Sequence, residues 1–141
     1  MKVAMIGAGG WGTAMMISLA ARHDDLFMYC RNPKTAQEMQ KSRENTNYLP
    51  GCRIPLHVKI TSSLETAVKG AGCVILCTPS HAVEAMAESL VPWLEKDTVV
   101  VCASKGLADH AGHRLSEVIK DKVKDITKKI VVLSGPNHAE E

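Results

Sequence analysis

The sequence predicts an α/β domain in which helices cover both faces of a doubly wound, mostly parallel sheet. Short apolar runs alternate with segments of helical length along the chain. Most of these runs are apolar at every position, as strands buried on both faces require. A glycine-rich turn follows the first run and opens the first helical segment. Together these features are typical of a Rossmann-type fold.

The composition predicts a single globular domain. The chain has 141 residues, of which 45% are hydrophobic and 23% charged, and these fractions exclude a disordered or fibrous protein. The net charge is only +2, and the sequence has no basic stripe with interleaved aromatic residues, so we expect no nucleic-acid partner. No apolar run has the ~18 residues of a membrane span, and the amino terminus lacks the layout of a signal peptide. We therefore expect no membrane span and a cytoplasmic location.

The first part of the chain predicts two strands, each followed by a helix. Lys2 to Ile6 is apolar after its lysine, and Gly12 to Arg22 is rich in alanine and methionine and has helical length. Leu26 to Cys30 has the apolar and aromatic composition of a strand. The next helix, Pro33 to Lys41, begins with a proline that suits its first turn.

The segment from Ser42 to His57 interrupts this alternation. It contains two asparagines, two prolines and a glycine within a short distance. We predict a long loop, and such loops in compact domains are often functional.

The remaining elements continue the alternation. Val58 to Thr61 predicts a strand, and Ser62 or Ser63 is a candidate cap for the short helix Leu64 to Lys69. The same criteria predict three further strands, at Cys73 to Cys77, Thr98 to Cys102 and Ile130 to Leu133, and two further helices, at His81 to Leu94 and Ala111 to Lys124. Asn137 and Glu140 have the spacing of a helix cap and its reciprocal glutamate. We therefore expect a helix to start there and the chain to be a piece of a longer protein.

The cysteines predict reduced thiols and no metal site. Four of the five lie in or at the end of apolar strand-like runs, which suits buried thiols in a reducing compartment. Cys73 and Cys77 are four residues apart in one predicted strand. Their side chains should then be about 13 Å apart, too far for one zinc ion.

The strongest motif is G-x-G-x-x-G, which follows the first strand. Gly7 allows the tight turn, Gly9 lets the backbone approach a pyrophosphate, and Gly12 lets the helix pack on the strand. Free N–H groups at the start of the helix would meet the negative charge. The motif predicts dinucleotide binding; a merely tight turn and the related loop of a methyltransferase are the alternatives.

The end of the second strand bears on the choice of cofactor. An NAD site usually has an aspartate or glutamate there to accept the ribose hydroxyls. This chain has Tyr29, Cys30, Arg31 and Asn32 instead. Because a guanidinium matches a phosphate in charge and geometry, Arg31 predicts acceptance of a 2′-phosphate, and the missing acid counts against a methyltransferase. The alternative for Arg31 is a solvated loop residue.

Three later loops should line the same edge of the sheet, because ligands of open α/β sheets bind beyond the carboxyl ends of the strands. These loops are Thr78 to His81, Ala103 to Gly106 and Ser134 to Asn137. Lys105 is the charged side chain that immediately follows a strand in these loops. It predicts contact with an anionic substrate, and a plain surface lysine is the alternative.

Five motifs occur in a fixed order: G-A-G-G-W-G-T-A, E-N-T-N-Y-L-P-G, C-T-P-S, A-S-K-G-L and L-S-G-P-N-H-A-E-E. In this order and spacing the whole chain resembles the amino-terminal domain of bacterial NAD(P)-dependent glycerol-3-phosphate dehydrogenases. The resemblance implies hydride transfer between a nicotinamide, as NADH or NADPH, and the C2 carbon that joins dihydroxyacetone phosphate and sn-glycerol 3-phosphate. It also implies that the product of this reaction supplies phospholipid synthesis.

The resemblance also implies roles for individual residues. It gives dinucleotide contacts to a set spread over the motifs: Gly10, Trp11, Arg31, Lys105 and Ala139, to which we add Gly7, Gly9, Gly12 and Pro79 from the glycine motif and the fourth strand end. It gives substrate contacts to Lys105, Gly135 and Asn137, and Lys105 is the candidate catalytic residue. Where the chain has Asn137 and His138, the family more often has serine or threonine and phenylalanine.

The resemblance also implies that cofactor binding and catalysis involve two different domains. Residues 1–141 would form the dinucleotide-binding domain, and a helical substrate domain with the acid/base lysine would follow. These residues alone should therefore be inactive, and the full-length protein is a candidate homodimer. A nucleotide-sensing regulatory domain and a different dehydrogenase with a related helical domain are the alternatives. The loop from Asn45 to Gly51 and Lys105 favour glycerol-3-phosphate dehydrogenase.

Overall fold

The structure is a computed structural model that describes residues 1–108 and 112–135. Its strands, in chain order, are β1 (Val3–Ile6), β2 (Leu26–Tyr29), β3 (Glu44–Asn45), β4 (Leu49–Arg53), β5 (Val58–Thr61), β6 (Cys73–Leu76), β7 (Val99–Cys102) and β8 (Ile130–Val132). Its α-helices are α1 (Gly10–Leu19), α2 (Pro33–Ser42), α3 (Leu64–Val68), α4 (Val83–Leu90) and α5 (Leu115–Val123), with 3₁₀ turns at Ser80–Ala82 and Val91–Trp93.

Six of the strands form one parallel sheet in the order β5-β2-β1-β6-β7-β8. Val3 of β1 pairs with Leu26 on one side and with Cys73 on the other. The chain order therefore reverses between β1 and β6, and ligands of doubly wound sheets bind beyond the carboxyl ends of the strands at this point. The predicted doubly wound, mostly parallel sheet is confirmed.

The two faces of the sheet have separate cores because successive side chains of a strand point to opposite faces. On one face, Ala4 and Ile6 of β1 pack in a cluster with buried residues of α3, α4 and α5. On the other face, Val3 and Met5 pack with residues of α1 and α2, including Met16. All four residues of β1 are buried, which explains why this strand is apolar at every position.

The segment predicted to be a loop, Ser42 to His57, contains an antiparallel hairpin of β3 and β4, so that prediction was wrong in part. The ladder is irregular between Glu44 and Asn45, and β4 contains a proline and a glycine and is mostly exposed. A short, bulged, exposed strand has neither the length nor the alternation that sequence patterns detect. Ile54, just beyond it, is fully buried.

The helices agree with their predicted places and differ at their ends. Helix α1 begins at Gly10 and ends at Leu19. The Ser63 side chain accepts a hydrogen bond from the Thr66 N–H and caps α3, which decides between Ser62 and Ser63. The segment predicted as one helix from His81 to Leu94 is α4 between two 3₁₀ turns. The predicted starts at Ala111 and Asn137 lie outside the described residues.

Within residues 1–108 and 112–135, the structure contains no helix of the length and apolar character needed to cross a bilayer. The same part of the chain contains no group of three or more side chains suited to hold a metal ion. The five cysteines are free thiols. Cys30 and Cys102 are buried as predicted, Cys73 and Cys77 are half-buried, and Cys52 is exposed on the hairpin.

Candidate dinucleotide site

Two glycines let the turn after β1 pack against the end of β6. Gly7 has a φ of +119°, and a Cβ placed on it would lie 2.5 Å from the carbonyl oxygen of Cys77. A Cβ on Gly12 would collide with the carbonyl oxygen of Gly7 and would contact the Cys77 side chain. Neither position has room for a side chain, so both glycines are needed for the fold of the turn.

Gly9 faces open space instead. A Cβ on Gly9 would meet no described atom within 4 Å, and its φ of −81° suits any residue. Gly9 is the N-cap of α1, where the described residues supply no side-chain cap and the first turn has no acidic residue. The unbonded N–H groups and the positive end of the helix dipole therefore remain for an anion, as a pyrophosphate requires.

A buried asparagine connects the hairpin to the glycine loop. Asn45 is 1% exposed, and its Nδ2 donates to the carbonyl of Ala8 at 2.9 Å and to Oγ1 of Thr13 at 2.8 Å. The Thr13 hydroxyl donates in turn to the carbonyl of Gly9 at 2.8 Å. A Cβ on Gly10 would lie 2.9 Å from the Tyr48 carbonyl oxygen, so Gly10 has a packing role against the hairpin.

The loops after β6 and β7 meet at the same edge. A Cβ on Gly106, whose φ is +95°, would lie 3.6 Å from the Ser80 side chain. The Ser104 hydroxyl donates to the Leu76 carbonyl at 3.3 Å. Pro79 precedes the 3₁₀ turn at Ser80–Ala82. These contacts hold the two loops beside the glycine turn.

Lys105 and Trp11 come together across this edge. Nζ of Lys105 lies 5.9 Å from the centroid of the Trp11 ring, within the range of a cation–π interaction. The Trp11 side chain is 42% exposed. The end of β7 and the start of α1 therefore present a cation and an aromatic face to the same space.

An open cleft of about 530 Å³ lies between the ends of β7 and β8 and the start of α5. Both Lys105 and Gly135 line it, so two of the predicted substrate residues share one cavity. Arg114 and Ser134 line it as well. Arg114 is a second cation that the sequence analysis did not select, because it lies at the start of a helix rather than at a strand end.

Arg31 lies at another part of the edge, two residues beyond the end of β2. It is exposed and has no ion-pair partner among the described residues. The adjacent Asn32 uses its side chain to accept from the N–H groups of Lys34 and Thr35 and caps α2. The Arg31 guanidinium is therefore available to a ligand beside β2.

Cys77 lies beneath the glycine turn and keeps its proton. Burial raises the pKa of the Cys77 thiol to about 12, with a smaller contribution from the neighbouring Cys102. This thiol is therefore a neutral packing group for Gly12 and no nucleophile at neutral pH.

We expect iodoacetamide to alkylate Cys52 in the native protein and to leave Cys77 unmodified until the chain unfolds. A thiol with a pKa near 12 has on the order of a thousandfold less thiolate at neutral pH than an ordinary cysteine. Peptide mass spectrometry of native and urea-unfolded samples measures both sites. Equal labelling of Cys52 and Cys77 in the native state would contradict the protection of Cys77.

The raised pKa of Cys77 has a second consequence, for stability. Because the unfolded chain loses this proton first, the free energy of unfolding should fall as the pH rises from about 9 towards about 12.

Comparison with known families decides the affiliation of the chain. The family described as "NAD-dependent glycerol-3-phosphate dehydrogenase N-terminus" matches residues 2–141. The chain belongs to this glycerol-3-phosphate dehydrogenase family. The resemblance to this family that the sequence analysis described is thereby confirmed.

Relatives in the glycerol-3-phosphate dehydrogenase family are considerably longer than this chain. A protein of Moorella thermoacetica is 44% identical over 140 residues, which are 99% of this chain and 41% of the relative. A protein of Listeria innocua is 39% identical over 142 residues, 99% of this chain and 42% of the relative. Both are named glycerol-3-phosphate dehydrogenase [NAD(P)+]. The chain thus spans about two fifths of the length of these relatives.

Solved structures agree with the family and with the wider fold. The crystal structure of glycerol-3-phosphate dehydrogenase from Coxiella burnetii is 27% identical and superposes with a TM-score of 0.86, covering 96% of this chain and 41% of that chain. A prephenate dehydrogenase from A. aeolicus is 17% identical with a TM-score of 0.68, covering 94% of this chain and 41% of that chain. The second likeness shows a shared fold alone.

The predicted contacts of the glycerol-3-phosphate dehydrogenase family fall into three groups in this structure. The glycine turn with Trp11, the Pro79 loop and Lys105 lie together at the carboxyl edge, and Gly135 lies on the Lys105 cleft. Arg31 follows β2, whose last residue, Tyr29, accepts from the Gly7 N–H at 3.3 Å, on the side of the glycine turn away from Lys105. Ala139 and Asn137 lie outside the described residues. The roles of all these residues in binding stay predictions. Sequence reasoning missed Thr13 and the individual role of Asn45. The signal that could have found Asn45 is its place as a polar residue in the second of the five motifs.

Proposed function

We propose that this chain is the cofactor-binding part of an NAD(P)-dependent glycerol-3-phosphate dehydrogenase, which interconverts dihydroxyacetone phosphate and sn-glycerol 3-phosphate for phospholipid synthesis. The observation that carries the proposal is the approach of Lys105 to Trp11, at 5.9 Å from Nζ to the ring centroid. It joins the candidate substrate residue to the helix start that would hold the pyrophosphate. Family membership supports the same activity.

The proposed cofactor lies across the carboxyl edge of the sheet. The start of α1 at Gly9 would hold the pyrophosphate, Arg31 would meet the adenosine half, and the loop after β7 would meet the nicotinamide. From β2 to β7 the sheet crosses three strand spacings, or about 14 Å, which suits an extended dinucleotide. Both NADH and NADPH fit this arrangement, and Arg31 favours the 2′-phosphate of NADPH. When bound, the nicotinamide supplies or accepts the hydride.

Lys105 has a proposed electrostatic role. As a hydride reaches C2 of the ketone, negative charge develops on the carbonyl oxygen. A fixed cation beside that oxygen stabilises the charge and lowers the barrier. The cleft that Lys105 lines together with Gly135 supports this role, and Asn137 is the further proposed substrate contact.

The proton of the hydroxyl requires a separate group. We propose that it is a lysine of a helical substrate domain that follows residue 141 in the whole protein, and that residues 1–141 alone bind cofactor without turnover. The greater length of the relatives supports a further domain. The five free thiols support a reducing compartment, the cytoplasm. A homodimer of the whole protein stays a prediction.

Replacing Lys105 by alanine in the whole protein should lower kcat/KM for dihydroxyacetone phosphate more than tenfold, on the order of 1.4 kcal/mol or more. The oxidation of NADPH or NADH with this substrate provides the assay. Lys96→Ala is the matched control, because Lys96 is an exposed lysine that precedes β7 at the opposite edge of the sheet. An unchanged kcat/KM for Lys105→Ala would reduce Lys105 to a surface lysine. A wild-type protein without turnover would contradict the proposed function.

A further inference from the structure

The hairpin of β3 and β4 is attached to the domain at its base. Arg43, which is buried, donates through its guanidinium to the carbonyl of Val58 at 2.7 Å and more weakly to that of Pro55 at 3.5 Å. The N–H of Ile54 donates to the Arg43 carbonyl at 2.7 Å, and the Ile54 side chain is fully buried. These contacts do not involve Asn45, so the base of the hairpin has its own anchor.

The same hairpin bonds directly to the Ala8 carbonyl of the glycine loop and, through Thr13, supports the Gly9 carbonyl, which also accepts the first intrahelical bond of α1 from the Thr13 N–H at 2.9 Å. The two protons of Asn45 Nδ2 go to the Ala8 carbonyl and to the Thr13 hydroxyl oxygen. Since that oxygen already accepts from Asn45, the hydroxyl proton of Thr13 points to the Gly9 carbonyl. Both carbonyls are therefore bound on the side of the hairpin and of α1. A carbonyl turned to the opposite side would repel a phosphate, whereas an N–H group there attracts it.

We propose that Asn45 is a positioning residue for the cofactor: it holds the carbonyls of Ala8 and Gly9 away from the pyrophosphate, directly and through Thr13. The proposal rests on the proposed function of the site. Asn45 is 1% exposed, so its side chain is not accessible for direct contact with a ligand. It acts by orienting the loop that binds the pyrophosphate.

The isosteric substitution Asn45→Asp separates this role from simple packing. An aspartate has the same shape and only acceptor oxygens when ionised. One carboxylate oxygen would face the Ala8 carbonyl and repel it, and the other would draw the Thr13 proton away from Gly9. The shape of the buried site is preserved while the orientation of the loop is lost.

The test compares Asn45→Asp with Asn47→Asp in the whole protein. Asn47 is an exposed residue of the same hairpin, so its substitution makes the same chemical change away from the loop. For Asn45→Asp we expect Kd and KM for NADH and NADPH to rise at least tenfold and kcat at saturating cofactor to stay within about threefold of wild type. The urea midpoint should fall, because a buried carboxylate replaces the two donor bonds of Asn45. Asn47→Asp should match wild type in all four quantities.

Thr13 provides a second pair of variants in case Asn45→Asp does not fold. Thr13→Val removes the hydroxyl that links Asn45 to Gly9 and should raise the Kd at least fivefold. Thr13→Ser restores the hydroxyl and should restore most of the affinity. Cofactor affinity is measured by direct titration, so the readout does not depend on turnover.

The possible failures are distinguishable. A wild-type protein that binds neither cofactor contradicts the proposed function. If the wild type binds cofactor and Asn45→Asp binds it with equal affinity, the role of Asn45 is overturned while the proposed function stands. An equal loss of affinity in Asn47→Asp, or a fall in kcat as large as the rise in KM for Asn45→Asp, also overturns it, because these results indicate a charge effect or a general loss of the site. Equal affinities in Thr13→Val and Thr13→Ser overturn the relay through Thr13.

Discussion

Replacing Gly7 by alanine should lower the free energy of unfolding by about 3 kcal/mol or more, the sum of backbone strain and overpacking. Gly7 has a φ of +119°, and its Cβ would lie 2.5 Å from the Cys77 carbonyl oxygen. That oxygen belongs to the backbone at the end of β6, so no side-chain rotation relieves the collision. Urea unfolding followed by tryptophan fluorescence measures the change, and cofactor binding should be lost with the fold of the turn.

The matched variant is Gly9→Ala, two residues along the same turn. The φ of Gly9 is −81°, and no described atom lies within 4 Å of its Cβ position. Alanine adopts this backbone conformation but is a poorer helix N-cap than glycine, so the two effects oppose each other and the free energy of unfolding should change by no more than about 1 kcal/mol. It should nevertheless weaken NADPH at least tenfold, because the added methyl group would occupy the space proposed for the pyrophosphate. A stable Gly7→Ala variant would show that the turn has another conformation.

Replacing Arg31 by aspartate should weaken NADPH selectively, by roughly 1.5 to 3 kcal/mol, the scale of a hydrogen bond to a charged group. This corresponds to a loss of affinity of about ten- to 150-fold. Arg31 is exposed at the end of β2 with no ion-pair partner among the described residues, so it is available to the 2′-phosphate. NADH lacks that phosphate, and an aspartate at this position would accept from its ribose hydroxyls. The affinity of Arg31→Asp for NADH should therefore stay equal or rise.

Direct titration of the whole protein with both cofactors provides the measurement. Lys41→Asp is the control, because Lys41 is an exposed cation in the last turn of α2, at the far end of that helix from Arg31. It reverses the same charge and should change neither affinity. An equal loss of NADH and NADPH in Arg31→Asp would show that Arg31 does not read the 2′-phosphate.

The sheet could be predicted from the sequence because its strands are buried on both faces. A strand such as β1, buried at every position, must be apolar at every position, and this pattern is visible without any partner. The glycine motif was equally visible, since Gly7 and Gly12 are needed for a local turn whose geometry depends on few contacts. The order of these local features along the chain indicated that the later strand ends share one edge, and the structure shows that Trp11 and Lys105 meet there.

Other features depended on contacts between residues distant in the sequence. The hairpin was predicted as a loop because β3 and β4 are short and the segment is interrupted by asparagines, prolines and a glycine, and their pairing satisfies the backbone without an apolar pattern. The individual role of Asn45 was not visible, since its partners Ala8 and Thr13 lie 37 and 32 residues away. Gly10 was predicted to contact the dinucleotide, and the fold adds its contact with the Tyr48 carbonyl.

The sequence by itself determined the six strands of the parallel sheet, the glycine turn and the family, because these depend on residue types at short spacing within strands, turns and motifs. Only the tertiary structure decided that Lys105 and Gly135 share one cleft with Arg114, that Arg31 lies apart from them beside β2, and that Asn45 orients the glycine loop. The physical reason is the distance along the chain over which each feature is decided. Burial and turn geometry act locally and limit which residue types a position accepts. A hydrogen bond between distant segments requires only one donor and one acceptor, which many residues supply.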